Sequence, residues 1–416
     1  MANLTKRLFI ISKNIFPDDL FLRNEVEELR KYFKKIYVYP IKSLNPSLCT
    51  SNCHNIINIP NQSFSRQLST LSKLQILVKY FNIICEILFL EFHKRDLRIL
   101  KKEFFLTLRR IIKNIDRSES ITFDIETLKI IEGEKDIYFY SFWGEEEAFC
   151  LAFLKRTRKI DNLFIRLRGW DLYEERRENN YIPFQRYISK QASLISLQTK
   201  EAYNYFLKKY PFLSSKIILN HQGVYDNGEN PSQAEKTHLR IVSCSNLVAL
   251  KRVDQIVNIL QNVKYETQWF HFGDGPEMDK IIELTHSLPK NIECFLPGRL
   301  KNVDILKFYK TEPVDLFIHL SCTEGGVPLA LQEAASFGIP MIGTNVGGIS
   351  EIIINGETGL LVPKNFNSLE IVDFINDFLN SNFAKYEKRI KIKEFWKSNF
   401  NAVDNYRLLA HQILNK

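Results

Sequence analysis

Short apolar runs alternate with stretches of helical period along most of this chain. Near the start, residues 8–12 read as a strand, a loop holds Pro17, residues 20–33 have helical spacing, and residues 36–39 read as the next strand. Strand–helix–strand order implies a parallel sheet with helical crossovers. Strand character returns at residues 136–142 and 162–166, followed by two shorter runs at 194–196 and 216–219. Residues 225–233 are polar and rich in turn formers, the clearest linker in the sequence.

Beyond the linker the alternation is regular. Strands are predicted at 239–243, 267–272, 291–295, 316–320 and 341–343, with helices between them at 253–261, 277–284, 303–309 and 329–337. This half is therefore expected to be a doubly wound α/β domain whose ligand sits at the carboxyl ends of its strands. A last helix, 401–414, carries Val403, Tyr406, Leu409 and Leu414 at helical spacing. With 416 residues the chain exceeds what one core usually organises, so two domains are expected.

Residues 65–117 break the rhythm with two long helical patterns and little Gly or Pro. Residues 66–117 hold twelve Lys/Arg against five Asp/Glu, so most of the net charge of +9 lies in about an eighth of the chain. A solvated helical face is one account of such a stretch. The functional alternative is a basic amphipathic patch that rests on anionic lipid or grips a phosphorylated acceptor. The longest apolar run, 81–92, is interrupted by Glu86 and Glu91 and falls short of the roughly 20 residues a membrane span needs.

Composition narrows the class further. A hydrophobic share of 45% excludes a disordered chain, and seven scattered cysteines exclude a disulfide scaffold. Reduced thiols and a cytoplasmic location are expected. Cys49, Cys53 and His54 cluster, but no second ligand pair stands at a finger-like spacing, so a plain loop is expected there. The apolar run after Lys6 and Arg7 is too short for a signal peptide, which predicts no export.

The chemistry concentrates in residues 314–363. A buried strand runs into Ser321-Cys322-Thr323-Glu324, and Gly325 and Gly326 let the backbone approach a ligand closely before Val327. Pro328 stands where a helix begins, and Gly338 with Pro340 ends that helix. The free N–H groups of the helix start are a ready phosphate site beside the glycines. Glu333, further along the helix, can accept hydrogen bonds from paired hydroxyls such as those of a ribose. A second strand ends in Val346-Gly347-Gly348 at the same edge.

This block resembles the donor-binding signature of retaining glycosyltransferases of family 4, which have the GT-B fold. The family's paired glutamates, Gly-Gly turn and closing Gly-x-x-Gly-Leu-Leu-Val correspond to Glu324 and Glu333, Gly347-Gly348, and residues 356–362. Upstream, Ser243-Cys244-Ser245-Asn246-Leu247 with Lys251 and Arg252 is similar to the family's first strand and basic pair of that domain. Phe272-Gly273-Asp274-Gly275-Pro276 and Gly298-Arg299 are similar to its next two loops. In the N-terminal half, Phe16-Pro17 with Asn24-Glu25-Val26, and Arg166-Leu167-Arg168-Gly169-Trp170-Asp171-Leu172-Tyr173, look like members that build surface polysaccharides. Gly223-Val224 matches the family's hinge. Three positions depart from the pattern. Glu324 and Glu333 are nine apart rather than eight, so alignment on Glu333 puts Gly325 at the first glutamate position; Glu324 is taken for it, with one extra glycine absorbing the offset. Asn246 stands where an arginine is usual, and Arg168 replaces a histidine.

The resemblance implies two Rossmann-like doubly wound domains facing across a cleft. Residues 1–225 would bind the acceptor, with a helical insertion at about 65–117, and residues 226–400 would bind a nucleotide-diphosphate sugar; helix 401–416 would pack back on the first domain. It implies sugar transfer with retention, without cofactor or metal, to a saccharide or lipid-linked saccharide acceptor at the inner face of the plasma membrane. Lys251, Arg252 and Glu324 would carry the catalysis. Glu333, Gly325, Gly326, Val327, Ser245, Gly273, Gly275, Arg299 and Arg168 would bind the donor. No Asp-x-Asp occurs, so no divalent clamp is expected. A hydrolytic carboxylate pair is the competing enzyme reading, which the Gly-rich helix start argues against. A dinucleotide oxidoreductase lacks its fingerprint, because no Gly-x-Gly-x-x-Gly follows the first strand of either half. Nucleic acid is not an expected partner, since the charge lies in one segment without base-stacking motifs. A catalytically silent sugar-nucleotide binder remains the alternative.

Overall fold

Continuous apolar strands are buried on both faces in parallel sheets, and the computed structural model contains two such sheets. It describes residues 5–16, 20–41, 55–59, 68–92, 97–132, 136–231 and 238–415. Pro17, Cys49, Cys53, His54 and the last two linker positions lie outside these residues. Two units divide the chain. Unit 1 comprises Met1–Gln198, Tyr203–Asn220 and Tyr406–Lys416, and unit 2 comprises Thr199–Ala202 and His221–Asn405.

In unit 1 the strands are β1 (Arg7–Ser12), β2 (Lys35–Pro40), β3 (Ile56–Asn58), β4 (Ile137–Ser141), β5 (Phe164–Arg166), β6 (Leu194–Leu197) and β7 (Ile217–Leu219). They form one parallel sheet in the order β3-β2-β1-β4-β5-β6-β7. Every residue of β1 is buried, because helices cover both faces. The order reverses at β1 and β4, which opens a crevice at their carboxyl ends.

The helices of this part are α1 (Leu20–Leu29), α2 (Thr70–Lys79), α3 (Phe81–Phe92), α4 (Leu97–Glu132), α5 (Glu146–Arg156), α6 (Gln185–Gln191) and α7 (Lys200–Lys209). The expected insertion at 65–117 is larger than its two helical patterns: three helices run from Thr70 to Glu132. α4, 36 residues and about 54 Å long, continues past residue 117 through a stretch rich in Ser and Thr. Those hydroxyls satisfy themselves inside the helix: Ser118, Thr122 and Thr127 donate to the carbonyls of Asn114, Ser118 and Phe123. Ile111, Ile115, Ile121 and Ile125 are buried along one stripe of it.

Unit 2 alternates as the sequence predicts. Its elements are β8 (Leu239–Cys244), α8 (Val253–Leu260), β9 (Thr267–Phe272), α9 (Met278–Thr285), β10 (Ile292–Gly298), α10 (Asn302–Thr311), β11 (Leu316–His319), α11 (Leu329–Ser336), β12 (Met341–Thr344), β13 (Gly359–Val362), α12 (Ser368–Asn376) and α13 (Tyr386–Phe400), followed by α14 (Ala402–Leu414), which belongs to unit 1 from Tyr406 onward. The parallel sheet has the order β10-β9-β8-β11-β12-β13. β8 is the switch point, flanked by β9 and β11. Val253, Ile256, Val257 and Leu260 of α8 are buried, the spacing of a core-facing stripe. The core is anchored by Trp269, Tyr309 and Trp396.

The boundary region is partly structural rather than free linker. Asn230 is buried, donates to the carbonyls of Tyr309 (2.6 Å) and Glu312 (2.8 Å), and accepts from Val314 N–H (2.9 Å) and Arg389 (3.0 Å). Residues 225–231 are thus tied to unit 2. In unit 1, Tyr406, Leu409, Ala410 and Ile413 of α14 are buried, and the Arg166 guanidinium lies 5.7 Å from the Tyr406 ring centre.

Candidate active site

All six strands of unit 2 are parallel, so the loops leaving them emerge at one edge. Close backbone contacts lock these loops together. The Cys322 N–H donates to the Leu250 carbonyl (2.9 Å), joining the loop after β11 to the loop after β8. Thr344 at the end of β12 donates to the Ser321 carbonyl (2.5 Å). Gly347 has φ +55°, and a Cβ there would collide with the Glu324 carbonyl. The Gly347-Gly348 turn therefore packs directly on the Glu324-Gly325-Gly326-Val327 turn, which only a residue without Cβ allows.

Glu324 sits at the centre of this edge. It is ion-paired with Lys251 from the turn before α8, and its Oε1 lies 2.7 Å from His319 Nε2 at the end of β11. The same ring nitrogen is 2.9 Å from Ser321 Oγ. Burial alone would push the Glu324 carboxyl up, but the His319 hydrogen bond and the Lys251 ammonium outweigh it and hold it at about 2. Burial pushes His319 down, against the pull of Glu324. Glu324 is therefore a fixed anion at any physiological pH.

Glu333 is the opposite case. On α11, behind the Gly-rich turn, it is buried and accepts one hydrogen bond, from Asn302 at the start of α10 (2.8 Å). Burial pushes it up to about 7, only partly offset by Asn302. Two carboxylates nine residues apart are thus held at opposite ends of their range by their surroundings. Pro328 occupies the cap position and α11 begins at Leu329, where the sequence places the helix start. Val327 is buried, and its carbonyl accepts from Gln332 (3.0 Å). Gly325 and Gly326 complete the turn.

Arg252 adopts φ +49° and opens α8. Its guanidinium donates to the carbonyls of Leu320 (2.7 Å), Ser321 (3.1 Å) and Lys364 (2.9 Å). It clamps the end of β11 to the segment after β13, leaving Lys251 as the cation of the pair that meets a carboxylate.

The remaining predicted donor residues form one wall. The Ser245 N–H donates to the Phe272 carbonyl (3.1 Å), and Gly273 N–H to the Gly298 carbonyl (3.0 Å). Gly273 has φ +157°, and a Cβ there would strike the Ser245 carbonyl. Gly275 packs on Leu247, and the Leu247 N–H donates to the Asp274 carbonyl (3.0 Å). Arg299 reaches Asn246 Oδ1 (3.2 Å), so the residue found in place of the usual arginine is a hydrogen-bond partner of another arginine. Beneath the wall, Trp269 Nε1 donates to Ser243 Oγ (3.0 Å), Ser243 pairs with His271 Nδ1 (2.8 Å), and His271 Nε2 faces the Ser245 carbonyl (3.2 Å). Burial holds His271 down at about 4. A neutral ring protonated on Nε2 satisfies every partner in this chain.

Arg168 lies in unit 1. Its guanidinium stacks over Phe142 (4.0 Å) and lies 3.5 Å from Glu25, which also faces Arg166 (3.6 Å) and accepts from Tyr140. Its N–H and that of Gly144 are held by Asp171, which burial pushes up to about 6. This cluster stands at the carboxyl ends of β4 and β5.

Sequence reasoning missed His319, Ser321 and Asn302. His319 carried a signal: a histidine closing an otherwise apolar strand just before the glycine turn. Asn302 carried none. Among the described residues no group of three or more His, Cys, Asp and Glu is placed to hold a metal ion, and no helix is long and apolar enough to cross a membrane.

Comparison with known proteins agrees with this geometry. Residues 226–396 match the family model described as glycosyl transferases group 1. The GtfA subunit of a UDP-N-acetylglucosamine–peptide N-acetylglucosaminyltransferase from Streptococcus parasanguinis is 27% identical, across 48% of this chain and 38% of its own. The putative colanic acid biosynthesis glycosyltransferase WcaL of Escherichia coli (strain K12) is 25% identical, across 50% of this chain and 52% of its own. The chain thus spans from about a third to about half the length of the curated relatives it matches. Among solved structures, Anabaena Alr3699/HepE with UDP and glucose matches with a TM-score of 0.66 and 14% identity, covering 99% of this chain and 100% of that one. The lipopolysaccharide outer core galactosyltransferase WaaB matches with a TM-score of 0.68 and 14% identity, covering 98% of this chain and 99% of that one. At that identity the likeness establishes the fold.

Proposed function

We propose that this chain, whose residues 226–396 match the glycosyl transferases group 1 model and whose two parallel α/β sheets have the GT-B fold, moves a sugar from a nucleotide-diphosphate sugar to a saccharide acceptor with retention at the anomeric carbon. The observation that carries the reading is the Lys251–Glu324–His319 constellation, set beside a Gly-rich turn and a helix start at the edge where parallel-sheet domains bind ligands.

In this mechanism the diphosphate lies over the turn at Gly325, Gly326 and Val327, against the N–H groups that open α11. Lys251 offsets the charge that develops as the bond from the anomeric carbon to the diphosphate oxygen breaks. Glu324, kept ionised by His319 and Lys251, orients the donor sugar hydroxyls, and this environment supports Glu324 rather than Gly325 as the first glutamate. The acceptor hydroxyl attacks on the face the diphosphate leaves, and its proton passes to a phosphate oxygen of the leaving group. Glu333 accepts from the ribose hydroxyls. Arg252 holds Leu320 and Ser321 in place, and Ser245, Gly273, Gly275 and Arg299 line the nucleotide. Arg168, in unit 1, is read as a cation for the donor sugar or its phosphate.

The finer reading places the acceptor on a lipid carrier at the inner face of the plasma membrane, in surface polysaccharide synthesis such as capsule or lipopolysaccharide. The names of WcaL and WaaB support that direction. The test is incubation of the purified chain with a panel of nucleotide sugars, following nucleoside diphosphate release by mass spectrometry. Release with one donor, lost in Glu324→Gln, is expected. Binding of donors without release from any of them, with or without saccharide acceptors, would replace this reading with a silent binder.

A further inference from the structure

The helices α2, α3 and α4 leave an apolar surface of unit 1 uncovered. Leu71, Leu74 and Val78 on α2, Phe81 and Phe89 on α3 and Phe105 on α4 are each between 57% and 77% exposed. They are not scattered. Spacings of three and four put the α2 residues on one face, and Phe81 and Phe89 share a face with the exposed Cys85 between them. The opposite stripes are buried, at Ile76, at Ile84 and Ile87, and at Ile111 and Ile115. Each helix touches the other two. Phe92 stacks on Phe104 (6.1 Å), which meets Phe105 edge-on (5.7 Å), so the aromatic surface continues from α3 onto α4.

Charge is sorted across the same layer. Arg109 and Lys113, four and eight residues on from Phe105, are exposed on its face of α4, and Arg110 is exposed next to Arg109. The acidic groups of α3 are used inward: Glu86 pairs with Arg156 (2.9 Å) and Lys190 (3.2 Å), and the buried Glu91 accepts from the Phe184 N–H (3.1 Å). The outward face thus offers phenylalanines and leucines beside basic groups, while the α3 carboxylates Glu86 and Glu91 are paired with groups behind it. Soluble chains rarely leave such apolar patches open. A second copy of this chain would oppose like charges.

We propose that this three-helix surface seats the protein on an anionic bilayer. Phe81, Phe89 and Phe105 enter the interfacial layer, and Arg109, Arg110 and Lys113 meet lipid phosphates. The purpose of the seat rests on the reading of the chain as a transferase with a lipid-carried acceptor; the surface itself rests on its own exposure and charge.

The test is flotation of the full chain with vesicles of phosphatidylcholine alone and of phosphatidylcholine containing a third phosphatidylglycerol. The protein is expected to float with the anionic vesicles only and to be released by high salt. Arg109→Gln with Arg110→Gln should weaken binding about tenfold or more, and Phe89→Ser with Phe105→Ser should abolish it. Both variants should keep wild-type nucleotide-sugar turnover in solution, which shows they are folded and separates this proposal from the transferase reading. An environment-sensitive fluorophore on Cys85 should shift to the blue on anionic vesicles alone. No flotation, flotation that survives the serine pair, or a dimer that the serine pair converts to monomer would each overturn the membrane seat.

Discussion

Gly347 packs on the backbone carbonyl of Glu324 with no room for a side chain between them. The turn after β12 thereby sets the height of the turn that carries Glu324, and its φ of +55° adds a second reason for glycine. Gly347→Ala should destabilise unit 2 by about 1–3 kcal/mol, measured by denaturant unfolding. It should also weaken donor binding, because relief of the clash displaces Glu324. Unchanged donor affinity would mean the two turns move independently.

Glu324→Gln removes one charge from a set of three groups and leaves Lys251 without its anion. Donor turnover should fall about 100-fold or more, with a smaller change in donor KM. Its folded pKa, held at about 2, lies below the ordinary carboxylate value, so the stability it contributes is present above about pH 4.5 and is lost as pH falls toward 2. Acid unfolding of the variant should therefore lack part of the wild-type slope in that window.

Glu333 should give the reverse signature. Its folded pKa is raised to about 7, so the native state prefers the protonated acid, and that stability is complete below about pH 4.5 and lost as pH rises to 7. The loss should be about 3 kcal/mol, and Glu333→Gln should remove it. Donor affinity should move the other way in the wild type, improving toward pH 8 as the carboxylate becomes the better acceptor for ribose hydroxyls. Isothermal titration with the nucleoside diphosphate across this range checks both directions, and a pH-independent affinity would remove Glu333 from the ribose.

Arg252→Lys separates a structural role from a phosphate-binding one. A lysine keeps the charge but cannot span the carbonyls of Leu320, Ser321 and Lys364. About 1–3 kcal/mol of stability should be lost, with turnover at permissive temperature reduced less than tenfold. A variant that keeps its stability but loses turnover would return Arg252 to the diphosphate.

The parallel sheets were legible because strands buried on both faces are apolar throughout, as in Leu8–Ile11, and because glycine-rich turns follow them at one edge. Glu324, Gly325 and Gly326 were legible for the same reason: chemistry packed into a turn is local in sequence. What escaped was built from distance. Asn302 reaches Glu333 across 31 positions, and Arg252 reaches the Lys364 carbonyl across 112. Asn230, in a stretch that composition marks as linker, became a four-bond anchor through partners 79 to 159 positions away. The extent of α4 was hidden by Ser and Thr, whose preference for turns is overridden once their hydroxyls bond back to the helix.

Tyr406, Leu409 and Ile413 complete the core of unit 1, yet the chain reaches them only after all of unit 2. During synthesis the second sheet can therefore close while the first still lacks a piece of its interior. Until α14 arrives, Arg166 has no Tyr406 ring to lie against. Folding order on the ribosome should run against sequence order, with the first domain begun being the last one finished.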